Sequence, residues 1–204
     1  MTPLGGTVDV IALGASAGGV EALSAVVATL PADLGAAVLI VLHVSDVGTS
    51  VMPAILDRAG RLPAAAGRDG DPLATGHVYV APPGSHMTVE GARIRLSQEP
   101  RENGHRPAID PLLRSLAGAF RSRAAAAILT GARDDGTAGL RQLARCGGVA
   151  IAQDPLTAQY PSMPLSAIEH VAVDAILPLA EIGAALALLA GRAAAGTAIE
   201  HSPP

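Results

Sequence analysis

Three residue types that cooperate in hydrolysis each follow a short apolar run of this chain. They are Ser16 after residues 8–13, His43 after residues 37–42, and the pair Asp134 and Asp135 after residues 124–129. A hydroxyl, an imidazole and a carboxylate held together can serve as nucleophile, general base and orienting anion. If the three runs are parallel strands, the polar residues share the carboxyl edge of one sheet. The pattern therefore predicts a hydrolytic site built on Ser16.

The segment around Ser16 is typical of a sharp turn from a strand into a helix. Glycines flank the serine in the sequence GASAGG, residues 14–19, and they let the backbone turn without side-chain clashes. The helix predicted at residues 20–30 would place free N–H groups and its positive dipole end behind the serine. Such a turn presents a hydroxyl and favours the negative charge that develops in acyl transfer.

A nucleotide-binding loop is the main alternative for this turn. Glycine-rich turns between a strand and a helix also open dinucleotide-binding domains, and residues 14–19 fit that pattern loosely. That function expects an acidic residue at the end of the second strand, about 20 residues further on. His43 stands there instead, while Asp33 comes too early and Asp46 slightly late. The wider pattern therefore favours the nucleophile turn.

Strand and helix patterns alternate along most of the chain, which favours an α/β fold. We predict a three-layer, doubly wound, mostly parallel sheet with a β-hairpin region inserted in the middle. Strands are predicted at residues 8–13, 37–42, 124–129, 149–152 and 173–177, and helices at 20–30, 50–59, 110–123, 137–145, 164–170 and 179–190. The hairpin region comprises the short alternating segments 77–81, 87–90 and 93–97. Asp110 is predicted to cap the helix in which Pro111 takes the first position.

The composition narrows the class of protein. The 204 residues are half hydrophobic, enough for one sizeable α/β domain, which we assign to residues 1–192, with a disordered tail at 193–204. A net charge of −4 without a basic patch argues against nucleic acid as a partner. A single cysteine and scattered histidines offer no metal-ligand spacing, so neither a metal nor a cofactor is expected. Because no signal peptide or membrane span is evident, we expect a cytoplasmic protein.

Several longer segments resemble one known family, in the right order along the chain. They are GASAGGVEAL, the strand that ends at His43, VYVAPPGSHM, HRPAIDPLLRSLA, AILTGARDDGTAGL and AQDPLTAQYPSMPLSAIEH. Together they resemble the catalytic domain of the chemotaxis protein-glutamate methylesterase (CheB) family over almost the whole length. Only seven residues precede the first predicted strand, so we expect this chain to lack the family's N-terminal receiver domain. The chain is therefore expected to be a fragment or a stand-alone esterase.

The resemblance implies a role for each residue of the predicted site. Ser16 is then the nucleophile, His43 the general base and Asp135 the orienting acid. Asp135 is preferred to Asp134 because the family's aspartate directly precedes the glycine that Gly136 matches.

The resemblance also implies residues that bind the oxyanion and the substrate. The oxyanion donors are the backbone amides of Ala17, beside the nucleophile, and of Ala132. Arg106 and Met163 match positions near the active site and are expected to contact the substrate. Arg133 stands where the family usually has glycine. This departure bears on the substrate preference of the site more than on the roles of Ser16, His43 and Asp135.

The implied substrates are γ-methyl esters of glutamate side chains on the cytoplasmic domains of methyl-accepting chemoreceptors. Deamidation of receptor glutamines is a second implied activity. The expected partners are those receptors, with a separate receiver-domain regulator as a further candidate and no direct membrane insertion. The alternative function is a non-catalytic receptor-binding module of the same fold in a signalling complex.

Overall fold

Nine strands and six helices follow one another along residues 8–44 and 48–191, the part of the chain that the computed structural model describes. The strands are β1 (Val10–Ala15), β2 (Ala37–Leu42), β3 (Ala64–Ala66), β4 (Val78–Val80), β5 (His86–Glu90), β6 (Arg93–Ser97), β7 (Ala124–Ile128), β8 (Val149–Gln153) and β9 (Ala175–Leu177). The helices are α1 (Gly19–Ala28), α2 (Met52–Ala59), α3 (Ile109–Ala119), α4 (Thr137–Arg145), α5 (Ser162–His170) and α6 (Leu179–Ala190).

Seven of these strands form one parallel sheet in the order β3-β4-β2-β1-β7-β8-β9. Strand β1 lies at its centre, with Ala15 opposite Leu42 of β2 and Gly14 opposite Ile128 of β7. The chain runs from β1 to one side of the sheet and later returns to the other side at β7. The carboxyl end of β1 is therefore a topological switch point, where open α/β sheets bind their ligands. The predicted α/β class is confirmed.

Helices cover both faces of the sheet. Residues of α1, α2 and α6, such as Leu23, Leu56 and Leu186, are buried against one face. Helices α3, α4 and α5 cover the other face together with the hairpin. Successive strand residues point to opposite faces, so a strand between two helical layers must be apolar throughout. This explains the unbroken apolar run Ala37–Leu42, of which every residue is buried.

The predicted hairpin region is confirmed in part. Strands β5 and β6 form a separate antiparallel pair, joined through Gly91 as expected. Strand β4, predicted to belong to this region, is instead a parallel member of the main sheet, between β2 and β3. Its three residues are too few for periodicity to reveal that both faces are buried. Strand β3 was not predicted, because three consecutive alanines carry little β-propensity.

The prediction for the start of α3 is wrong by two residues. Ala108 is the N-cap, so Asp110 is the second helical residue and does not cap its own helix. The helix also ends at Ala119, and a 3₁₀ turn at Arg121–Arg123 completes the segment that was predicted as helix. The predicted tail 193–204 lies outside the described residues, as does Asp46. Among the described helices, none is long and apolar enough to cross a membrane.

Candidate active site

Ser16 and His43 directly follow the ends of two neighbouring strands. The last residues that pair between β1 and β2 are Ala15 and Leu42, and the His43 amide donates a 3.1 Å hydrogen bond to the Ala15 carbonyl. Continuing that register by one residue places Ser16 beside His43, at the roughly 5 Å spacing of adjacent strands. Ser16 is partly exposed, so a ligand can reach it from solvent.

His43 is joined to Asp135 by one of its two ring nitrogens. Nε2 of His43 lies 2.6 Å from Oδ2 of Asp135, and the two side chains are only 4% and 2% exposed. A carboxylate can only accept, so Nε2 carries the proton in this pair. Nδ1 is also buried and finds no hydrogen-bond partner among the described residues. The ring can thus accept a proton at Nδ1 while Asp135 holds its other side.

Asp135 is held by donors from several parts of the chain. Besides His43, the amide of Ile109 donates to Oδ2 at 2.7 Å, and the amide of Asp110 donates to Oδ1 at 3.2 Å. The side-chain amide of Asn103 donates to Oδ1 at 2.7 Å. Burial acts to raise the pKa of Asp135, but the hydrogen bonds from His43, Ile109 and Asn103 outweigh it and hold that pKa below its usual value. The group is therefore a stable carboxylate at neutral pH.

The side chain of Asp110 is a second buried carboxyl, beside that of Asp135. Its Oδ1 accepts a 2.6 Å hydrogen bond from the amide of Gly139 in α4, and its Oδ2 accepts a 2.9 Å bond from Asn103. Burial raises the pKa of Asp110, the hydrogen bond from Gly139 opposes this, and the charge of Asp135 adds to the rise. Asp110 therefore ties α3 to α4, in place of the capping role that the sequence predicted.

His105 lies flat against the ring of His43. Their ring centroids are 3.6 Å apart and the planes are inclined by only 8°. Burial lowers the pKa of His105, and a charge on His43 lowers it further, so a neutral His105 ring is favoured. The imidazole of His43 is thus bounded by Asp135 at its edge and by His105 on its face.

The turn that carries Ser16 is packed closely against the loop after β7. The Ser16 amide donates a 3.0 Å hydrogen bond to the Thr130 carbonyl. A methyl group at Gly131 would lie 2.9 Å from Cβ of Ser16 and 2.7 Å from Cε of Met163. Gly18 adopts φ +72°, a conformation that other residues rarely adopt, and the side chain of Gln159 lies against it. Glycine is therefore required at both positions for the serine to sit where it does.

Ala17 directly follows the serine, and Ala132 directly follows Gly131, the residue that packs against Ser16. Neither amide donates a backbone hydrogen bond within the described part of the chain. Arg133 adopts φ 68°, the left-handed conformation that glycine provides without strain. Its amide donates a 3.2 Å hydrogen bond to Oγ of Ser162, which holds this loop against α5.

The two residues expected to contact a substrate are engaged with the protein itself. Nη1 of Arg106 donates hydrogen bonds of 3.0 and 3.1 Å to the carbonyls of Gln98 and Glu99. Met163 is completely buried and packs against Gly131 behind the serine turn. In this structure Arg106 holds a loop and Met163 fills the core, and a contact of either with substrate stays a prediction.

Asn103 and His105 are the site residues that the sequence reasoning missed. Both lie within residues 98–107, a polar segment rich in glycine and proline for which the sequence predicts only a loop. A signal for a tight turn was nevertheless present, because Asn103-Gly104 is the dipeptide preferred in two-residue hairpin turns. Separately, no group of three or more histidine, cysteine, aspartate or glutamate side chains in the described segments could hold a metal ion.

Comparison with known proteins places the chain among close relatives. The family described as CheB methylesterase matches residues 11–186. A protein-glutamate methylesterase/protein-glutamine glutaminase of Pseudomonas aeruginosa is 41% identical over 95% of this chain and 56% of its own length. A protein of the same name from Geobacillus kaustophilus is 41% identical over 89% of this chain and 54% of its own length. The chain spans about half the length of these relatives.

Two further matches correspond to almost the full length of the protein compared. One is a putative protein-glutamate methylesterase/protein-glutamine glutaminase of Leptospira interrogans, 35% identical over 85% of this chain and 91% of its own length. The other is the crystal structure of the Thermotoga maritima CheB methylesterase catalytic domain, with a TM-score of 0.86 and 30% identity over 90% of this chain and 99% of that one. Sequence and fold agree, and the chain belongs to the CheB methylesterase family.

Proposed function

We propose that this chain hydrolyses γ-methyl esters of glutamate side chains in a protein substrate, using Ser16 as nucleophile. The observation that carries the proposal is the buried hydrogen bond between His43 and Asp135 at the strand end beside Ser16. Family membership supports the same chemistry, since the relatives named above are methylesterases and glutaminases.

The first half of the reaction forms an acyl-enzyme. Oγ of Ser16 attacks the ester carbonyl carbon while Nδ1 of His43 takes the hydroxyl proton. Asp135 accepts the Nε2–H bond throughout and stabilises the imidazolium that forms. The tetrahedral intermediate then collapses as Nδ1 returns its proton to the leaving methoxide, which departs as methanol.

The second half regenerates the serine. A water molecule attacks the acyl carbon while Nδ1 of His43 takes one of its protons. The bond from the acyl carbon to Oγ of Ser16 then breaks as Nδ1 returns that proton to Oγ, and the glutamate side chain leaves as a carboxylic acid that ionises. With a glutamine side chain as substrate the same steps release ammonia, which accounts for deamidation as a second activity. Charge on the carbonyl oxygen would be met by the amides of Ala17 and Ala132, whose N–H groups are not used for backbone bonds in the described residues.

The substrate we propose is the cytoplasmic domain of a methyl-accepting chemoreceptor, as the family resemblance implies. The test is to incubate the chain with receptor fragments that carry methyl-labelled glutamate esters and to measure released methanol. Wild type should release methanol, and Ser16→Ala should reduce the rate by about 10⁴-fold or more. Ser122→Ala is a matched control, because Ser122 is exposed on the turn before β7, at the opposite end of the sheet.

The alternative, a non-catalytic receptor-binding module, gives a different result in the same experiment. It predicts receptor binding by wild type and Ser16→Ala alike, with no methanol from either. A serine-directed organophosphorus reagent adds a second readout. It should label wild type at Ser16 and fail to label His43→Gln, in which the general base is absent. Equal labelling of both proteins would contradict the proposed role of His43.

A further inference from the structure

The segment between β6 and α3 contains a tight turn whose residues contact the site. The amide of Glu102 donates to the His105 carbonyl at 3.1 Å, and the amide of His105 donates to the Glu102 carbonyl at 2.9 Å. Between them Asn103 and Gly104 have φ values of 53° and 85°, as a type I′ turn requires. We call residues 102–105 the tip.

One arginine ties the tip to α3, and a second arginine links the two ends of the segment that carries the tip. Arg114 of α3 donates to both carboxylate oxygens of Glu102, at 2.5 and 2.6 Å. Such a two-point contact fixes orientation as well as distance. Arg106 binds the carbonyls of Gln98 and Glu99 at the base of the same segment. The tip is therefore anchored to α3 through Glu102, although much of it is exposed.

The tip contacts both members of the buried pair. Nδ2 of Asn103 donates to Asp135 at 2.7 Å and to Asp110 at 2.9 Å, so one amide group uses both its protons on two carboxyls. On the other side His105 stacks on the ring of His43. Ser16, His43 and Asp135 could be brought together without the tip. Asn103 nevertheless restricts the orientation of the Asp135 carboxylate, and His105 restricts the orientation of the His43 ring.

We propose that Asn103 and His105 are positioning residues for the hydrolysis, Asn103 by fixing the carboxylate of Asp135 and His105 by fixing the ring plane of His43. The expected changes in rate rest on the proposed function, whereas the hydrogen bond to Asp135 and the stacking on His43 do not depend on it. A neutral ring on the face of His43 also suits the imidazolium that forms during the reaction, since a cation is stabilised over an aromatic face.

Charged groups on every side of the tip bear on its pH dependence. Burial has the largest effect on the pKa of His105 and lowers it, and the charges of His43, Arg133 and Arg101 lower it further. The charge of Asp135 acts to raise the same pKa. Asp110 and Glu102 lie on the side of Asn103, with Glu102 neutralised by Arg114. A carboxyl in place of the Asn103 amide would then face the carboxyls of Asp110 and Asp135.

The first test uses two variants of Asn103 that both tolerate its positive φ. Asn103→Gly deletes the amide without backbone strain, and Asn103→Asp keeps its shape but replaces the donor by a carboxyl. We expect Asn103→Gly to lower kcat roughly 10- to 100-fold with little change in KM. In Asn103→Asp three carboxyls must share a proton, so kcat should fall as the pH rises through the loss of that proton. Wild type, which keeps the amide donor, should show no such fall.

The second test separates the effect of the flat ring of His105 from the effect of its ring proton. His105→Phe keeps a flat face against His43, whereas His105→Ala removes it. We expect His105→Phe to retain kcat within about threefold and His105→Ala to lose roughly 10-fold or more. Equal loss in both variants, or none in either, would overturn the role assigned to the ring face.

A measurement without any ester keeps this inference distinct from the proposed function. The Nε2 proton of His43, held in a 2.6 Å hydrogen bond, should give a far-downfield proton signal, assigned by its absence in His43→Gln. The signal should shift or broaden in Asn103→Gly and in His105→Ala. If it is unchanged in both, the positioning roles are wrong, whether or not the wild type is an esterase. If it responds but wild type releases no methanol, the positioning stands and the proposed function fails.

Discussion

The amide of Ile109 donates a 2.7 Å hydrogen bond to Oδ2 of Asp135, the same oxygen that accepts from His43. Ile109 is the first residue of α3, so the carboxylate lies where a helix N-terminus favours negative charge. The amide of Ile109 thereby adds to the hydrogen bonds from His43 and Asn103 that lower the pKa of Asp135 and orient its carboxylate.

Replacing Asp135 by asparagine should remove activity without removing the fold. Every group that contacts this carboxylate donates, and an asparagine must present its own NH₂ to one of them. If that NH₂ faces His43, the ring must carry its proton on Nδ1 and cannot accept one from Ser16. We expect kcat for methanol release to fall by roughly 10³- to 10⁴-fold.

Asp134→Asn is the matched control for that change. Asp134 precedes Asp135 in the chain but is exposed, so its activity should stay within about twofold of wild type. A larger loss in Asp134→Asn than in Asp135→Asn would show that the wrong aspartate has been assigned.

The stability of the protein should depend on pH through Asp135 in a defined direction. The pKa of Asp135 is lowered from 3.8 in the folded chain, so its ionised form favours folding above that value. This contribution should be lost as the pH falls below 3.8 through the folded-state pKa. In urea unfolding, the free-energy advantage of wild type over Asp135→Asn should therefore be constant near neutrality and shrink in acid.

Asp110 should act in the opposite sense. Its pKa is raised, so its contribution to stability is present below 3.8 and is lost as the pH rises through the higher folded-state value. Because the charge of Asp135 adds to the raised pKa of Asp110, Asp135→Asn should also move the titration of Asp110 toward its usual value. A difference that does not change between neutral pH and strong acid would contradict the lowered pKa of Asp135.

A methyl group at Gly131 should disturb both stability and activity. In Gly131→Ala the new Cβ would lie 2.9 Å from Cβ of Ser16 and within 2.8 Å of the Met163 sulfur. We expect a loss of about 1–3 kcal/mol in the free energy of unfolding, as for other overpacked cores. Because one of the clashing atoms belongs to Ser16, kcat should also fall, roughly 10-fold or more.

Gly118→Ala provides the control for Gly131→Ala. Gly118 lies in α3, is exposed, and has open space where the methyl group would be added. Alanine should therefore stabilise the helix, by up to about 1 kcal/mol, with kcat unchanged. Equal effects of the two substitutions would mean that Gly131 is not closely packed in solution.

Arg133 holds a conformation that suits glycine better. With φ at 68°, any side chain there carries strain of about 1 kcal/mol, partly offset by the greater entropy of glycine in the unfolded chain. Thermal unfolding should show Arg133→Gly to be more stable than Arg133→Ala, by up to about 1 kcal/mol. The two variants lack the same guanidinium, so the difference between them reports the backbone alone, and alanine being the more stable would contradict the strain.

Local sequence patterns determined the elements and the placing of two site residues. Apolar runs of strand length before Ser16 and His43 predicted β1 and β2, because a strand buried on both faces must be apolar until it leaves the sheet. The carboxyl end of β2 was predicted correctly, whereas β1 continues two residues beyond the predicted range 8–13, to Ala15. The bounds of β2, α4 and α6 were predicted without error for the same local reasons. The choice of Asp135 over Asp134 needed the family resemblance.

Only the tertiary structure decided what surrounds the pair of His43 and Asp135. These two residues are 92 positions apart, and Asn103 meets Asp135 across 32 positions, so no local pattern connects them. Asp110 looked like a helix cap because capping is a local rule, but the packing of α3 on α4 gave its carboxylate the Gly139 amide instead. Periodicity and turn chemistry act over a few residues, whereas hydrogen bonds between strand ends and a distant loop depend on how the whole sheet brings them together.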